Sequence, residues 1–205
     1  MFCVKLIILG ADGYLGFPTA LHFASLGYEV HAVDNLSKRF LEAKSQVNPL
    51  IPLQSFHKRF LNWNSSNSNQ ITTHIIDIAK QTRQLYELIE NVVPDIVIHF
   101  AEQPSAPYSM KGRPEAVDTQ INNISGTLNL AFAIKKFASH CHIVKLGTMG
   151  EYGTPNIDIE EGWLDITHNG RQDRVLFPKK PSSFYHLSKV HDSNNLEFAC
   201  RNWNL

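Results

Sequence analysis

The chain has 205 residues, 19 basic and 19 acidic, and a formal net charge of zero. That length suits one to one and a half domains, enough to bury a sizeable core. Balanced charge leaves no basic stripe for nucleic acid and no amphipathic basic segment for a membrane surface. No apolar run approaches the roughly 20 residues needed to insert across a membrane. Cys3, Cys141 and Cys200 are odd in number and lack metal-ligand spacing. Reduced structural thiols, no metal, a cytoplasmic location and no cleavable signal before the first strand are therefore expected.

Residues 4–9 read as a buried parallel strand, nearly continuous in aliphatic side chains. The strand runs into Gly10-Ala11-Asp12-Gly13-Tyr14-Leu15-Gly16 and then a helix ending near Gly27. Gly10 permits the tight turn, Gly13 lets backbone approach a pyrophosphate, and Gly16 lets helix pack on strand. The phosphates would lie at the helix N-terminus, where free N–H groups and the helix dipole favour anions. A second strand, 29–33, ends in Asp34, 18 residues beyond Gly16. A carboxylate there accepts bonds from the ribose 2′ and 3′ hydroxyls and repels a 2′-phosphate, which favours NAD over NADP. The competing reading of Asp34 is an acidic turn residue. Lys38 and Arg39 are basic groups positioned to meet a phosphate.

Residues 35–71 read as irregular, with a helix over 36–46 and a polar tract over 62–70 that composition assigns to a surface loop. A strand over 73–78 carries Asp77, and a helix over 81–92 is stopped by Pro94. Strand 95–100, helix 115–137 and strand 142–147 follow. This alternation predicts an α/β fold: a doubly wound parallel Rossmann sheet of order 3-2-1-4-5. Ligands bind such sheets outside the carboxyl ends of the strands. Gly10, Asp34, Asp77, Glu102 and Thr148 all fall at or just past predicted strand ends.

The last segment adds chemistry. Thr148-Met149-Gly150-Glu151-Tyr152-Gly153 lies upstream of Tyr185-His186-Leu187-Ser188-Lys189. Tyr185 and Lys189, four residues apart, share a helix face. An ammonium beside a phenol lowers the tyrosine pKa from about 10 toward neutrality. A phenolate can take the proton of a sugar hydroxyl as hydride leaves the same carbon, with Thr148 holding that hydroxyl. The plain alternative is a surface helix with a tyrosine at the core edge.

These segments together resemble the extended short-chain dehydrogenase/reductase superfamily, and within it the UDP-sulfoquinovose synthase family. The resemblance rests on GADGYLG at 10–16, DNLSKR at 34–39, HFAEQPSAPYSM at 99–110 and TQINNISGTLN at 119–129. It continues through HIVKLGTMGEYGTPNIDIEEG at 142–162, THNGR at 167–171 and SSFYHLSKVHDS at 182–193. It implies conversion of UDP-glucose and sulfite to UDP-sulfoquinovose and water, with NAD bound and recycled. Oxidation at carbon 4 acidifies the carbon 5 proton, water leaves from carbon 6, sulfite adds there, and hydride returns to carbon 4. By resemblance Tyr185 is the carbon 4 acid/base and a contact of both substrate and cofactor. Lys189 tunes it and binds the ribose, and Thr148 is a substrate-facing hydroxyl. Glu151 and His186 are candidates for the elimination, and a plain helix residue is an equal reading of His186. Tyr14 and Leu15 cover the pyrophosphate; Asn35, Lys38, Asp77 and Asn122 join the cofactor contacts. Asn123 is the alternative bridge between helix and strand, and polar packing is the plain reading of both asparagines. Related dehydratases carry Asp-Glu after the threonine, where this chain has Met149-Gly150.

Two departures stand out. Pro104 replaces the family's arginine, supplying neither charge nor donor. A sixth strand and a carboxyl-terminal substrate domain are expected after Leu205, so residues 1–205 read as a truncated, single NAD-binding domain. Its edge strand is expected to pair in a homodimer or with a missing carboxyl-terminal half. A non-catalytic remnant that binds NAD or a partner chain, and another nucleotide-sugar epimerase or dehydratase, are the alternative functions.

Overall fold

The computed structural model describes residues 3–160 and 162–205. In chain order the first elements are β1 (Lys5–Leu9), α1 (Gly16–Ser25), β2 (Glu29–Asp34), α2 (Ser37–Lys44), α3 (Phe56–Ser66) and β3 (Ile71–Ile75). Next come α4 (Thr82–Val92), β4 (Ile96–His99), α5 (Ala106–Ser109), α6 (Arg113–Gln120), a π-helical segment (Ile121–Ser125) and α7 (Gly126–Phe137). The chain continues through β5 (His142–Lys145), a 3₁₀ turn (Met149–Glu151), β6 (Trp163–His168), β7 (Arg171–Leu176) and α8 (Phe184–Trp203). The main sheet has the order β3-β2-β1-β4-β5, with every pairing parallel.

β1 explains why this sheet needs both faces covered. Ile7 and Leu9 join one core with Leu85, Leu88 and Ile89 of α4 and Leu130 and Ile134 of α7. Leu6 and Ile8 join the opposite core with Ala20 and Ala24 of α1 and Phe56 and Phe60 of α3. A strand sealed on both sides has no use for polar alternation, hence its continuous aliphatic run. α4 shows the complementary pattern: Leu85, Leu88, Ile89 and Val92 form one buried stripe. Val93, left-handed at φ +48, ends α4 before Pro94.

Several elements differ from the sequence reading. The polar tract is half helix, because α3 extends to Ser66 and anchors through Phe56 and Phe60. Asn64 then works as a substitute strand. Its Nδ2 donates to the Ile71 carbonyl at 2.9 Å and its Oδ1 accepts from the Ile71 N–H at 2.8 Å. That clamp and the burial of Ile71 start β3 two residues early. Asp77 consequently lies past the strand, where Oδ1 accepts from Ala79 and Lys80 N–H groups and shapes a turn. The expected helix over 115–137 is interrupted by its π segment, which brings Asn123 inward. Residues 163–176 form an antiparallel hairpin that the strand-and-helix reading missed. Its turn is Asn169-Gly170, both at positive φ, a pairing typical of two-residue hairpin loops. Among the described residues no helix is long and apolar enough to cross a membrane.

Candidate functional site

The carboxyl ends of β1 and β2 form one half of the site. Gly10 sits at φ +83, and a Cβ there would lie 2.7 Å from the Phe100 carbonyl carbon. A Cβ on Gly16 would lie 2.1 Å from the Gly10 oxygen. Glycine is therefore dictated by backbone crowding at both positions. Gly13 has only the Gly10 oxygen close, at 3.2 Å. Tyr14 is exposed, and Leu15 immediately precedes α1. The result is a bare backbone cradle at a helix N-terminus, which fits a pyrophosphate.

Asp34 ends β2. Its Oδ2 accepts from the Asp12 N–H at 2.8 Å and its Oδ1 from the Leu36 N–H at 2.7 Å. Burial pushes its pKa upward, opposed by those two N–H donors. Asn35 is turned to α2, accepting from the Ser37 N–H at 2.9 Å. Lys38 is exposed and pairs with Glu42 at 3.4 Å. Asn122 donates to Asn123 Oδ1 at 2.9 Å. Asn123 is the connector: it accepts from the Gln103 N–H at 2.8 Å and donates to Ser188 Oγ at 2.8 Å. It thus ties the loop after β4 to α8.

The second half lies past β4 and β5. Thr148 caps the 3₁₀ turn, its hydroxyl accepting from the Gly150 N–H at 3.3 Å. Glu151 completes the capping box, then turns its buried carboxylate to Ser193 and to Lys179 at 2.8 Å. The role this geometry gives Glu151 is to hold the turn. α8 starts at the cap Ser183, whose hydroxyl accepts from the His186 N–H at 3.1 Å. Tyr185 and Lys189 follow on one face, with the Lys189 Nζ 5.8 Å from the Tyr185 ring centroid. The His186 ring leans on Tyr185 and contacts Ser182 Oγ at 3.3 Å. It also occupies the space above Gly150: a Cβ there would lie 2.3 Å from the ring. Glycine after Met149 is what admits the imidazole.

The expected depression of the Tyr185 pKa is not observed. Partial burial pushes it above the ordinary phenol value, and Glu102 adds to the rise. The reason is the orientation of Lys189, whose Nζ pairs with Glu102 and donates to the Leu146 carbonyl at 2.6 Å. Glu102 in turn pairs with Lys145 of β5, which reaches Asp192 of α8 at 3.2 Å. All four side chains are buried, and both carboxylates lack any hydrogen-bond partner besides the lysines. Burial drives the Asp192 pKa up to about 7, and burial also lowers that of Lys189. His99 beneath them is held to about 3 by burial and stays neutral. Sequence reasoning noticed Glu102 by its place after a strand but missed Lys145 and Asp192. The available signal was a lysine between the aliphatic residues Val144 and Leu146 at the end of a strand. Pro104 is exposed in the loop beside this cluster.

A model of the NAD dependent epimerase/dehydratase family matches residues 6–202. The chain is 50% identical over 201 residues to the chloroplastic UDP-sulfoquinovose synthase of Spinacia oleracea, covering 98% of this chain and 42% of that protein. It is 39% identical over 194 residues to the UDP-sulfoquinovose synthase of Sulfolobus acidocaldarius, covering 94% and 49%. Among solved structures, the UDP-Glc/GlcNAc 4-epimerase of Campylobacter jejuni aligns with TM-score 0.71 at 20% identity, over 97% of this chain and 49% of that one. The UDP-glucose 4-epimerase of Brucella ovis, solved with NAD, aligns with TM-score 0.68 at 20% identity, over 99% and 50%. The chain spans about half the length of the curated relatives it matches.

Proposed function

The chain belongs to the NAD dependent epimerase/dehydratase family, and from that premise we propose that it serves a UDP-sulfoquinovose synthase, acting on UDP-glucose and sulfite. The observation that carries the reading is the contact of His186 with Gly150 beside Thr148 and Tyr185. A side chain in place of Gly150 would expel the imidazole, so the Met149-Gly150 pair and His186 make one arrangement. It supplies a nitrogen base where a carboxylate-bearing turn would supply an acid. Half-length identity of 50% to the Spinacia oleracea protein supports the same substrates.

In this reading Gly10, Gly13 and the N-terminus of α1 receive the pyrophosphate of NAD, with Tyr14 and Leu15 beside it, and Asp34 meets the adenosine ribose. Asn35, Lys38, Asp77 and Asn122 line the same edge. When bound, NAD would supply the acceptor for hydride from sugar carbon 4 and the source of its return. Thr148 orients the carbon 4 hydroxyl and Tyr185 exchanges its proton. For Tyr185 to act as base, Lys189 must leave Glu102 and turn toward the phenol. His186 removes the acidified carbon 5 proton.

The test is incubation of NAD-loaded protein with UDP-glucose and sulfite, alone and with the carboxyl-terminal half of a relative. A sulfonated UDP-sugar, identified by mass, is the expected product. UDP-galactose or a 6-deoxy-4-keto sugar instead would reject the reading in favour of an epimerase or a dehydratase.

A further inference from the structure

The glycine loop carries an acid that the chemistry above leaves unused. The Asp12 side chain is 8% exposed and holds two guanidinium groups. Arg39 of α2 donates to it through both Nε and Nη2, the latter to Oδ1 at 2.8 Å. A further bond from Nη2 reaches the Gln54 carbonyl at 2.8 Å. Arg59 of α3 donates Nη1 to Asp12 Oδ1 at 2.7 Å and to the Asp12 carbonyl at 2.9 Å. The Arg59 guanidinium lies 3.7 Å from the Phe17 ring centroid, a cation–π contact that fixes its plane. The Asp12 N–H is the group that bonds Asp34. One residue therefore joins the acid at the end of β2 to two arginines.

A dinucleotide with a 2′-phosphate places a dianion on the ribose edge that Asp34 faces. Arginine is the side chain best suited to receive it, through paired charge-assisted bonds. Arg39 stands five residues beyond Asp34, and Arg59 shares its partner. Both point their donors at Asp12 instead. The local charge is balanced, two carboxylates against two guanidiniums.

We infer that Asp12 is a cofactor-discriminating residue, holding Arg39 and Arg59 flat on the glycine loop so that the ribose edge presents Asp34 and no free guanidinium. Asp34 alone repels a 2′-phosphate; Asp12 withholds the cations that would offset that repulsion. The inference rests on the dinucleotide-binding reading of the loop. It differs from a mere bracing role for Asp12, since loss of a brace weakens both dinucleotides alike.

The experiment is calorimetric titration of NAD and NADP against the parent chain, Asp12→Asn and Asp12→Asn/Arg39→Gln, with circular dichroism to confirm folding. Asp12→Asn is expected to improve NADP relative to NAD by about tenfold or more, the range of one or two freed charge-assisted bonds. The double variant is expected to return most of the way to the parent ratio. Parallel weakening of both dinucleotides with an unchanged ratio overturns the inference and leaves Asp12 as a brace. Should Asp12→Asn not fold, Arg39→Gln in the parent decides. A sequestered Arg39 predicts less than about a twofold change in NADP affinity, whereas a tenfold loss would show that it already meets the phosphate. A parent chain that binds neither dinucleotide defeats the NAD-binding reading and this inference together, an outcome separable from the unchanged ratio.

Discussion

The two ends of the site are built on opposite physical plans. At the nucleotide end, around β1 and β2, shape is set by missing side chains: Gly10 and Gly16 are required because backbone comes within 2.7 and 2.1 Å of where a Cβ would be. At the other end, around β5 and α8, shape is set by side-chain charge. Lys145, Glu102, Lys189 and Asp192 hold one another in a buried chain. A backbone cradle has one conformation and waits for its ligand. A buried ion-pair chain has alternatives, since each lysine can exchange partners when a new polar group arrives. The difference explains why Lys189 is turned to Glu102 while the glycine loop already has a shape suited to a pyrophosphate.

The strongest way to sharpen the contrast is Tyr185→Phe. It should lower turnover by about 10²–10⁴-fold, the usual share of positioned acid–base catalysis, while leaving NAD affinity unchanged. Steady-state kinetics beside calorimetry check it. Activity within about threefold of the parent would remove Tyr185 from the chemistry. Next is Lys145→Met. It leaves Asp192 without a partner in the core and Glu102 with Lys189 alone, and should cost about 3–5 kcal/mol in denaturant unfolding. Adding Asp192→Leu should recover part of that loss, because the remaining charges again balance. If the single variant unfolds like the parent, the ion-pair chain is not structural.

At the glycine-loop end Asp34→Ala should weaken NAD by about 1–3 kcal/mol, read by calorimetry, with little change in the buried ion-pair chain. Glu102→Gln tests whether the ends differ in adaptability. Removing that carboxylate takes away a charge that raises the Tyr185 pKa and releases Lys189 toward the phenol. Phenolate absorbance should then titrate at lower pH than in the parent, and an upward shift would contradict the geometry.

A pH dependence tests the charged end in a different way. The Asp192 pKa is raised from 3.8 to about 7 on folding, so the folded state holds a proton that the unfolded state has released. Its contribution to stability therefore declines as pH rises from 3.8 to about 7, then stays level. Glu102, lowered from 4.5 mainly by the two lysines against its burial, works oppositely: its contribution is present above 4.5 and lost as pH falls through the folded value. Comparing parent with Asp192→Asn isolates the first slope. Equal pH profiles for the two would contradict it.

The sheet was legible because a continuous aliphatic strand, a glycine loop and a stripe such as Leu85, Leu88, Ile89 and Val92 are local consequences of burial on two faces. The order 3-2-1-4-5 followed from alternation. The α3 helix was hidden by polar composition, because Phe56 and Phe60 become anchors only once the sheet exists to receive them. The hairpin's turn is encoded locally in Asn169-Gly170, two residue types that tolerate positive φ.

By itself, then, the sequence determined the elements whose cause is local: the strand, the glycine cradle, the stripe on α4 and the tyrosine and lysine on one face of α8. Only the tertiary structure decided where charges point. Lys189 meets Glu102 from 87 residues away, Lys145 meets Asp192 across a strand–helix contact, and Asp12 collects Arg39 and Arg59 from two different helices. Electrostatic pairing in a buried site depends on distance in space and on exclusion of water, and neither is written in sequence spacing.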